Sequence, residues 1–522
     1  MMNKTLFTTI ALTALTTGIG AQQTQQGEAA YRYADATQLW HNIDLAAGLS
    51  VDSVSNRGLA RFDLNHQSGD YARVQEGSQQ NSLSFFTERY QTIGRYLYGY
   101  GRFEFDMGRT KNRAWSDVQR TYHSNPFIVG SNVKGSYDHQ RFDFTAAVGT
   151  TPLIKGERTG DGLRLGAQLD YKVCDLSRLR DPRSRSQLLD YRLTPSATYT
   201  AGQHTIALSG YYNRRKEKIP NITTVQDDPN LMYYLMSGLE AAEGTTGGYK
   251  GFNREWVGHT FGAALAYNYK GEAFSTLTKL GISKGKEYVY ETYKREPGQY
   301  NDWDYSLHSR NLLRQGRLLH RLDVETDYRE GYADEYRQQL QIENDPQTGY
   351  TSYSYETLIT FRKRYQTQQF HLKAHYRLNF TCQQAITGYV GLKADVSAIK
   401  DKHLLPESQL KLAATDGLLE GGKALLKNHR LWIDASAGYH HASRADLSLP
   451  DTSTDYAQQV LLPDTEYYRA NYWKGNLSVT YQLPLTIKQS RTLWFVRAYG
   501  QYLKTNNILD SKSVGISFGI FN

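Results

Sequence analysis

The chain has 522 residues, a formal net charge of +9 at pH 7, only 2 cysteines and 41 tyrosines. Its mean hydropathy is −0.63, and no run of 18 apolar residues follows the N-terminal stretch, which excludes a helical membrane protein. The mild basic excess is no nucleic-acid signature, and the lack of a Pro/Ser-rich linker argues against a string of soluble domains.

The N-terminus has the pattern of a secretory signal peptide. Lys4 precedes an apolar stretch from Leu6 to Ile19, which the small residues Gly20 and Ala21 follow. This stretch is too short for a spanning helix, so we expect cleavage after Ala21 and a signal peptide over residues 1–21.

Residues 22–57 come before the first alternating segment and include Tyr31, Tyr33, Trp40 and Leu45. They have the length of a small plug or a strap for a partner. Because termini are commonly disordered or locally docked, we expect a periplasmic extension tucked into the mouth of a barrel.

From residue 58 onward, segments of about ten residues alternate between apolar and polar side chains, the length that a tilted membrane-spanning strand needs. Phe370 to Phe380 is the clearest, with His371, Lys373, His375, Arg377 and Asn379 on its polar face. The repetition predicts an all-β fold over 58–522: a transmembrane antiparallel up-and-down β-barrel of roughly 14 to 18 strands with long extracellular loops.

Connections are predicted from turn residues and from breaks in the alternation. Tight turns are expected at 138–140, 201–203, 270–272 and 365–368. Long connections are expected at 108–126, 215–257, 285–315, 400–428 and 442–472, and the leucine-rich stretch 409–427 is expected to hold a short helix.

The last strand, Ser513 to Phe521, places Val514, Ile516, Phe518 and Ile520 on one face. Such a strand is typical of a barrel that closes against its first strand. With the Ala-Gln signal end, the Tyr-rich barrel and the Gly-Ile-Phe terminus, the chain resembles the outer-membrane β-barrel proteins of Bacteroidota found beside TonB-dependent receptors and surface lipoproteins. The resemblance implies a fold and a location in the cell outer membrane of a Gram-negative bacterium, and no established activity. Asn522 departs from the aromatic last residue that is usual in porins.

The inward rows of this barrel carry both signs of charge. The lumen-lining candidates are Arg317, Arg321, Asp323, Glu325, His371, Lys373, His375 and Arg377. Clustered aromatic residues are either girdle residues at the membrane interface or binding sites in the loops for sugar rings or a lipoprotein. The candidates are Tyr233, Tyr234, Tyr353, Tyr467 and Trp473.

The sequence contains only one short match to a catalytic motif. His441 and Ser443 share the His-x-Ser spacing of outer-membrane phospholipases, whose motif continues with Asn-Gly, whereas Arg444 and Ala445 follow here. We therefore expect no enzyme, with a lipid hydrolase as a distant alternative, and no cofactor or metal. Cys174 and Cys382 have neither the spacing of a metal site nor that of a redox motif, and the sequence does not decide whether they form a disulfide with each other.

The sequence thus predicts a channel or an accessory subunit of a nutrient-uptake assembly. The alternative is a closed structural or partner-binding barrel. The expected partners are outer-membrane lipids and lipopolysaccharide, and a TonB-dependent receptor or a surface lipoprotein; nucleic acid is not among them.

Overall fold

The computed structural model describes residues 27–521 except 42, 53–55, 121–122, 157–159, 226–227, 229, 240, 247–251, 427–429 and 488–489. The predicted signal peptide lies outside the described residues. Within them the strands are β1 (Arg57–Gly69), β2 (Gln79–Ile93), β3 (Leu97–Arg113), β4 (Val129–Gly130), β5 (Gly135–Thr150), β6 (Ile154–Lys155), β7 (Gly162–Arg178), β8 (Arg185–Ala201), β9 (His204–Ile219), β10 (Met232–Gly238), β11 (Ala241–Thr246), β12 (Arg254–Lys270), β13 (Phe274–Tyr290), β14 (Gly298–Gln315), β15 (Leu318–Asn344), β16 (Thr351–Cys382), β17 (Ala385–Leu404), β18 (Glu407–Leu425), β19 (Leu431–Ser448), β20 (Tyr472–Ile487), β21 (Ser490–Thr505) and β22 (Asp510–Phe521).

Helical structure is sparse in this part of the chain. It comprises α1 (Glu28–Thr37), α2 (Leu462–Arg469), 3₁₀ turns at Ala46–Gly48 and Thr292–Lys294, and a π turn at Ala457–Leu461. Across the described ranges, no helix is long and apolar enough to cross a membrane.

Eighteen strands form one closed antiparallel barrel, which confirms the predicted fold class and strand range. Each barrel strand pairs with the next one along the chain, and β22 pairs with β1 from Leu59 opposite Phe521 to Gly69 opposite Ser511. The prediction that the last strand closes the barrel against the first is therefore confirmed. β6 only extends the edge of β7, and β4, β10 and β11 form a separate small sheet.

The barrel has two unlike ends. At the end where β1 begins and β22 finishes, called the turn end, neighbouring strands are joined by tight turns, as between β8 and β9 at 202–203. Gly202 and Gly316 have positive φ in these turns, a conformation that favours glycine. The opposite end, called the loop end, carries the long connections 114–134, 220–253 and 449–471.

The two faces of the wall differ as the alternation predicts. Large apolar side chains are exposed on the outward face of most strands, among them Phe62, Leu165, Leu208, Phe261, Leu280, Leu392, Leu477 and Val514. Charged side chains point inward. A continuous apolar outer surface of this size is what a barrel presents to lipid hydrocarbon.

Several sequence predictions are wrong in detail. Turns at 202–203 and 271–273 match two predictions, but 138–140 lies inside β5 and 365–368 inside β16. Residues 138–140 are polar because they lie near the rim of a strand, where Asp138 and His139 form ion pairs. His139 bonds Asp106 at 2.7 Å, and Asp138 accepts from Arg109 at 2.6 Å.

The predicted helix at 409–427 is also wrong, because this stretch forms β18. Leu410 and Leu412 are buried, whereas Leu419 is 67% exposed. Leucines on both faces of one strand obscured its two-residue period. The predicted long connections 285–315 and 400–428 are likewise mostly strand, with short links at 291–297 and 405–406.

Candidate functional site: a charged lumen closed at both ends

The N-terminal segment, residues 27–52 without residue 42, fills the lumen at the turn end. Its helix α1 lies against β17, and the turn at Ala46–Gly48 lies against β5, β7 and β8. Leu39, Trp40 and Leu45 are buried in an apolar cluster with inward wall residues, which are Ala207, Ala266, Leu277, Leu312, Leu319, Ile386, Tyr389 and Trp432. The wall is thus apolar where Leu39, Trp40 and Leu45 pack against it.

The wall is also shaped for this segment. A Cβ on Gly166 would lie 2.2 Å from the backbone N of Ala47, and one on Gly149 would lie 2.3 Å from the carbonyl O of Ala46. Ser196 Oγ accepts a hydrogen bond from Ala47 N at 3.0 Å. The two glycines therefore form a socket into which only backbone fits.

His41 illustrates the electrostatics of the closure. Burial, together with the neighbouring cations Arg57 and Arg310, lowers the pKa of His41 to about 3. The neutral imidazole accepts from Arg57 through Nδ1 at 2.7 Å and stacks on Tyr90 at 4.2 Å between ring centroids.

At the loop end, the connection 114–131, without residues 121–122, folds into the lumen; we call it the inward loop. Arg120 Nη2 donates to both carboxylate oxygens of Glu287, at 2.6 and 2.7 Å, and Asn125 Nδ2 donates to Glu287 at 2.6 Å. Glu217 accepts from Gln119 N at 2.6 Å, and Asp401 contacts His123. Three buried carboxylates from three wall strands therefore hold this loop.

Apolar packing completes the closure at the loop end. Val118, Phe127 and Val129 of the inward loop are buried with Tyr233 and Trp256, and Trp256 Nε1 donates to the Phe127 carbonyl at 2.7 Å. The small sheet of β4, β10 and β11 lies in this layer.

Two cavities remain between the closures. The upper cavity has a volume of about 530 Å³, and its charged lining comprises Arg120, Arg215, Lys286, Glu287, Asp302 and Arg329. The lower cavity has a volume of about 330 Å³, and its charged lining comprises Asp44, Arg102, Asp143, Asp170, Lys172, Asp190 and Arg192. Asn213 lines both cavities, so they are neighbours along the lumen. Together they give the lumen a polar, charged interior between the N-terminal segment and the inward loop.

Most of the predicted lumen residues lie on the inward face. Arg321 bonds Asp323 at 2.8 Å and contacts the Asp35 carbonyl of α1, and Glu325 lies opposite Lys373 and His308. His371 lines the upper cavity. Arg317 is different, because it lies exposed in the turn between β14 and β15.

His375 and Arg377 converge on one carboxylate. Glu420 Oε1 accepts from His375 at 2.8 Å and from Arg377 at 2.7 Å, and Lys393 approaches its other oxygen at 3.0 Å. This cluster links β16, β17 and β18 across the inner wall.

The predicted aromatic residues fall into different environments. Tyr233 is 0% exposed, and the ring of Tyr234 packs at a tilt against Trp115 with 4.3 Å between the centroids, so both contribute to the packing at the loop end. Tyr467 stacks on Tyr71 at 4.3 Å, and Tyr353 on Tyr293 at 4.7 Å. Trp473 is 63% exposed on the outer surface beside Tyr439.

Ser443 lies at a register shift between β18 and β19, where its hydroxyl donates to the Ala413 carbonyl at 3.1 Å. His441 is exposed. Among the described residues, no group of three or more His, Cys, Asp and Glu side chains is placed to hold a metal ion. Cys174 and Cys382 are free thiols, the first buried beside Gln119 and the second exposed.

Sequence reasoning missed the carboxylates that hold the inward loop. Glu287 lies in β13, within a stretch that was predicted as a connection from residue 285 onward. The alternation of Gly285, Glu287 and Val289 with Lys286 and Tyr288 is the signal that identifies it as an inward residue.

Several solved barrels resemble the fold at low similarity. The FrpB iron transporter from Neisseria meningitidis is 10% identical, with a TM-score of 0.39 over 91% of this chain and 82% of that chain. The outer-membrane transporter YddB from Escherichia coli is 8% identical, with a TM-score of 0.38 over 90% and 81%. OccAB3 of Acinetobacter baumannii is 10% identical, with a TM-score of 0.34 over 90% of this chain and 100% of that chain.

No curated protein matches the sequence of this chain. Residues 46–522 match the family described as a family of unknown function, DUF6850, and because the match covers most of the chain, the protein belongs to that family.

Proposed function

We propose that the protein is an outer-membrane β-barrel that passes small polar solutes through a lumen which its own chain closes in the resting state. The observation that carries this proposal is the pair of charged cavities between the two closures. The apolar outer surface supports the membrane location, and the termini and tight turns at one end support a periplasmic turn end.

The charged side chains in the middle of the lumen favour a water-filled route for solutes over a lumen that is packed only for stability. Apolar side chains pack at both closures, where the chain covers the wall, whereas the wall between them carries Arg215, Asp302, Arg329 and their neighbours. Enclosing ions without water costs several kcal/mol per ion, so a lumen that served only stability would gain more from apolar packing.

The test is solute flux into proteoliposomes that contain the purified chain. We expect low flux for the wild type and only a small rise for a variant that lacks residues 27–52, because the inward loop still closes the loop end. A second variant, which lacks residues 27–52 and also has a shortened inward loop, should give a large rise, and heat-dependent gel mobility checks that each barrel is folded. If neither variant conducts while both are folded, the solute route is refuted.

A second candidate is a partner-binding barrel, for which the hairpin of β15 and β16 is the specific observation. Residues 336–344 of this hairpin pair with residues 351–360, beyond the last residues that pair with β14 at Glu335 and with β17 at Tyr365. Ile342 and Ile359 on this arm are 55% and 51% exposed. Free strand edges with apolar side chains are suited to pairing with another chain.

The partner would be a TonB-dependent receptor or a surface lipoprotein in the same outer membrane, and the bacterium would belong to the Bacteroidota. Replacing residues 337–361 by a two-residue turn should abolish co-purification of such a partner and leave the flux unchanged. Co-purification that survives the deletion would exclude the arm as the binding surface. The proposal contains no catalytic step, and we expect Ser443→Ala to leave lipid turnover at the wild-type level.

A further inference from the structure

The N-terminal segment consists of two halves that are held in different ways. Residues 39–50, without residue 42, form the anchor half, and α1 with Gln38 forms the helix half. Ala46, Ala47 and Leu49 are at most 5% exposed, and Trp40 is 1% exposed. In α1, by contrast, Asp35 is exposed and Tyr31 to Ala34 are half-buried.

The anchor half is held by close packing. Its backbone enters the socket at Gly149 and Gly166, where no side chain fits. Thr198 Oγ1 donates to the Ala47 carbonyl at 3.3 Å, and Ser50 Oγ donates to the Thr150 carbonyl at 2.8 Å. Burial of aromatic and aliphatic side chains such as Trp40 and Leu45 stabilises this half by the hydrophobic effect, which salt does not weaken.

The helix half is held mainly by ion pairs. Glu28 pairs with Arg497 at 3.1 Å, and Arg32 donates to both oxygens of Asp434 at 2.8 and 2.9 Å. The apolar side chains that α1 buries fully are only Ala29 and Ala36, with Tyr31 packed at its edge against Phe521. Glu28 is buried, whereas Arg32, Asp434 and Arg497 keep about a fifth of their side-chain surface exposed, so these pairs are accessible to water and to salt at one side only. Arg57 and Arg321 also donate to the carbonyls of Tyr31 and Asp35, and these polar contacts, unlike the packing of the anchor half, can be replaced by water when the helix moves.

We propose that α1 is a hinged lid, which swings away from β17 to β21 about Gln38 while the anchor half stays seated. Gln38 is a natural hinge, because the helix ends there in an extended conformation. Opening on this side uncovers the lumen wall around Arg377 and Glu420 without breaking the glycine socket. This regulation rests on the proposed function, since a lid has a purpose only if a solute passes.

The native thiols supply the assay. In a Cys382→Ser background that also carries Gln119→Ala, Cys174 is the one remaining cysteine of the sequence, and it lies on the inner wall without the inward-loop side chain that otherwise accepts a hydrogen bond from its Sγ at 3.1 Å. A small charged thiol reagent should therefore modify it slowly in the closed barrel. Its modification rate measures lumen access and does not require transport.

Arg32→Gln should raise this rate roughly tenfold, which corresponds to about 1.4 kcal/mol of lost lid stability. The matched control is Arg377→Gln. Arg377 also pairs with a carboxylate and also lies over the ring of Tyr389, at 4.3 Å against 5.7 Å for Arg32, but it joins wall to wall. The control should leave the rate unchanged, and equal rates for the two variants would overturn the lid.

Cross-links distinguish a lid from release of the whole segment. In a chain without native cysteines, Glu28→Cys with Gln482→Cys ties the helix half to the wall, since Glu28 N donates to Gln482 at 3.0 Å. Ala47→Cys with Ser196→Cys ties the anchor half. Oxidation should abolish flux in the first pair and preserve it in the second, whereas loss of flux in both pairs would overturn the hinge.

The two failures are separable. If Arg32→Gln accelerates the modification of Cys174 while no folded variant conducts, the lid stands and the solute route fails. If flux is present and Arg32→Gln modifies at the wild-type rate, the solute route stands and the lid fails.

Discussion

Gly166→Ala is the sharpest test of how the N-terminal segment is seated. The added Cβ would lie 2.2 Å from Ala47 N, 2.5 Å from the carbonyl carbon of Ala46 and 2.7 Å from the Cα of Ala47, all of them backbone atoms. The segment must therefore move away, and it then loses its hydrogen bonds to Ser196 and Thr198.

The magnitude follows from these contacts. Overpacking costs about 1 to 3 kcal/mol. Each of the two lost hydrogen bonds adds about 0.5 kcal/mol, the lower end of the usual range, because water replaces the lost partner when the segment moves away. We expect the docking of the anchor half to weaken by about 2 to 4 kcal/mol, which is roughly 30-fold to 1,000-fold in the docking equilibrium.

The assay is the rate at which a polar reagent modifies Cys174 in the background that carries Cys382→Ser and Gln119→Ala. We expect Gly166→Ala to raise this rate at least 30-fold, by the same conversion of roughly 1.4 kcal/mol per factor of ten. Gly101→Ala is the control, because a Cβ there has no atom within 4 Å. A folded Gly166→Ala barrel whose Cys174 reacts like the control would refute the socket.

Three further predictions concern other parts of the molecule. The lowered pKa of His41 means that docking of the segment is fully stabilised above the ordinary pKa near 6.5 and is lost progressively as the pH falls toward about 3; spin labels at Ser50 and Arg317 should report a broader distance distribution at pH 4.5 than at 7.5, and His41→Gln should remove that difference. Glu287→Gln leaves Arg120 without its partner in a buried site and should destabilise the inward loop by about 3 to 5 kcal/mol, seen as faster proteolysis within 114–131; Asp302→Asn, whose carboxylate holds no loop residue and approaches Arg329 at 3.8 Å, should not have this effect, and equal proteolysis would contradict the anchoring role. Leu280→Arg places a charge on the lipid-facing side of β13, where Leu280 is 54% exposed, and should cost about 2 to 4 kcal/mol of barrel stability; an unchanged unfolding midpoint in urea would show that this face does not contact lipid.

Alternation alone predicted much of the wall. Phe370 to Phe380 forms part of β16 with the expected residues inside, and Ser513 to Phe521 closes the barrel. A strand whose two faces meet lipid and water carries its orientation in its own residues, so local sequence suffices.

The alternation of apolar and polar residues failed to predict strands where another part of the chain covers the inner face of the wall. Leu410 and Leu412 point inward beneath the inward loop, where apolar residues are required. In β18, leucines lie on both faces, so the two-residue period is recognisable only when the structure shows what covers the inner face.

The sequence by itself determined that the chain forms a large barrel, that the last strand closes it, and which side chains face inward in the clearly alternating strands such as Phe370 to Phe380, because each of these follows from a period of two. Only the tertiary structure decided that the lumen is closed at both ends. Arg32 contacts Asp434, which lies 402 residues further along the chain, and Ala47 contacts Gly166, which is also distant in sequence. Such contacts arise when the barrel closes around the segment, and no local pattern encodes them.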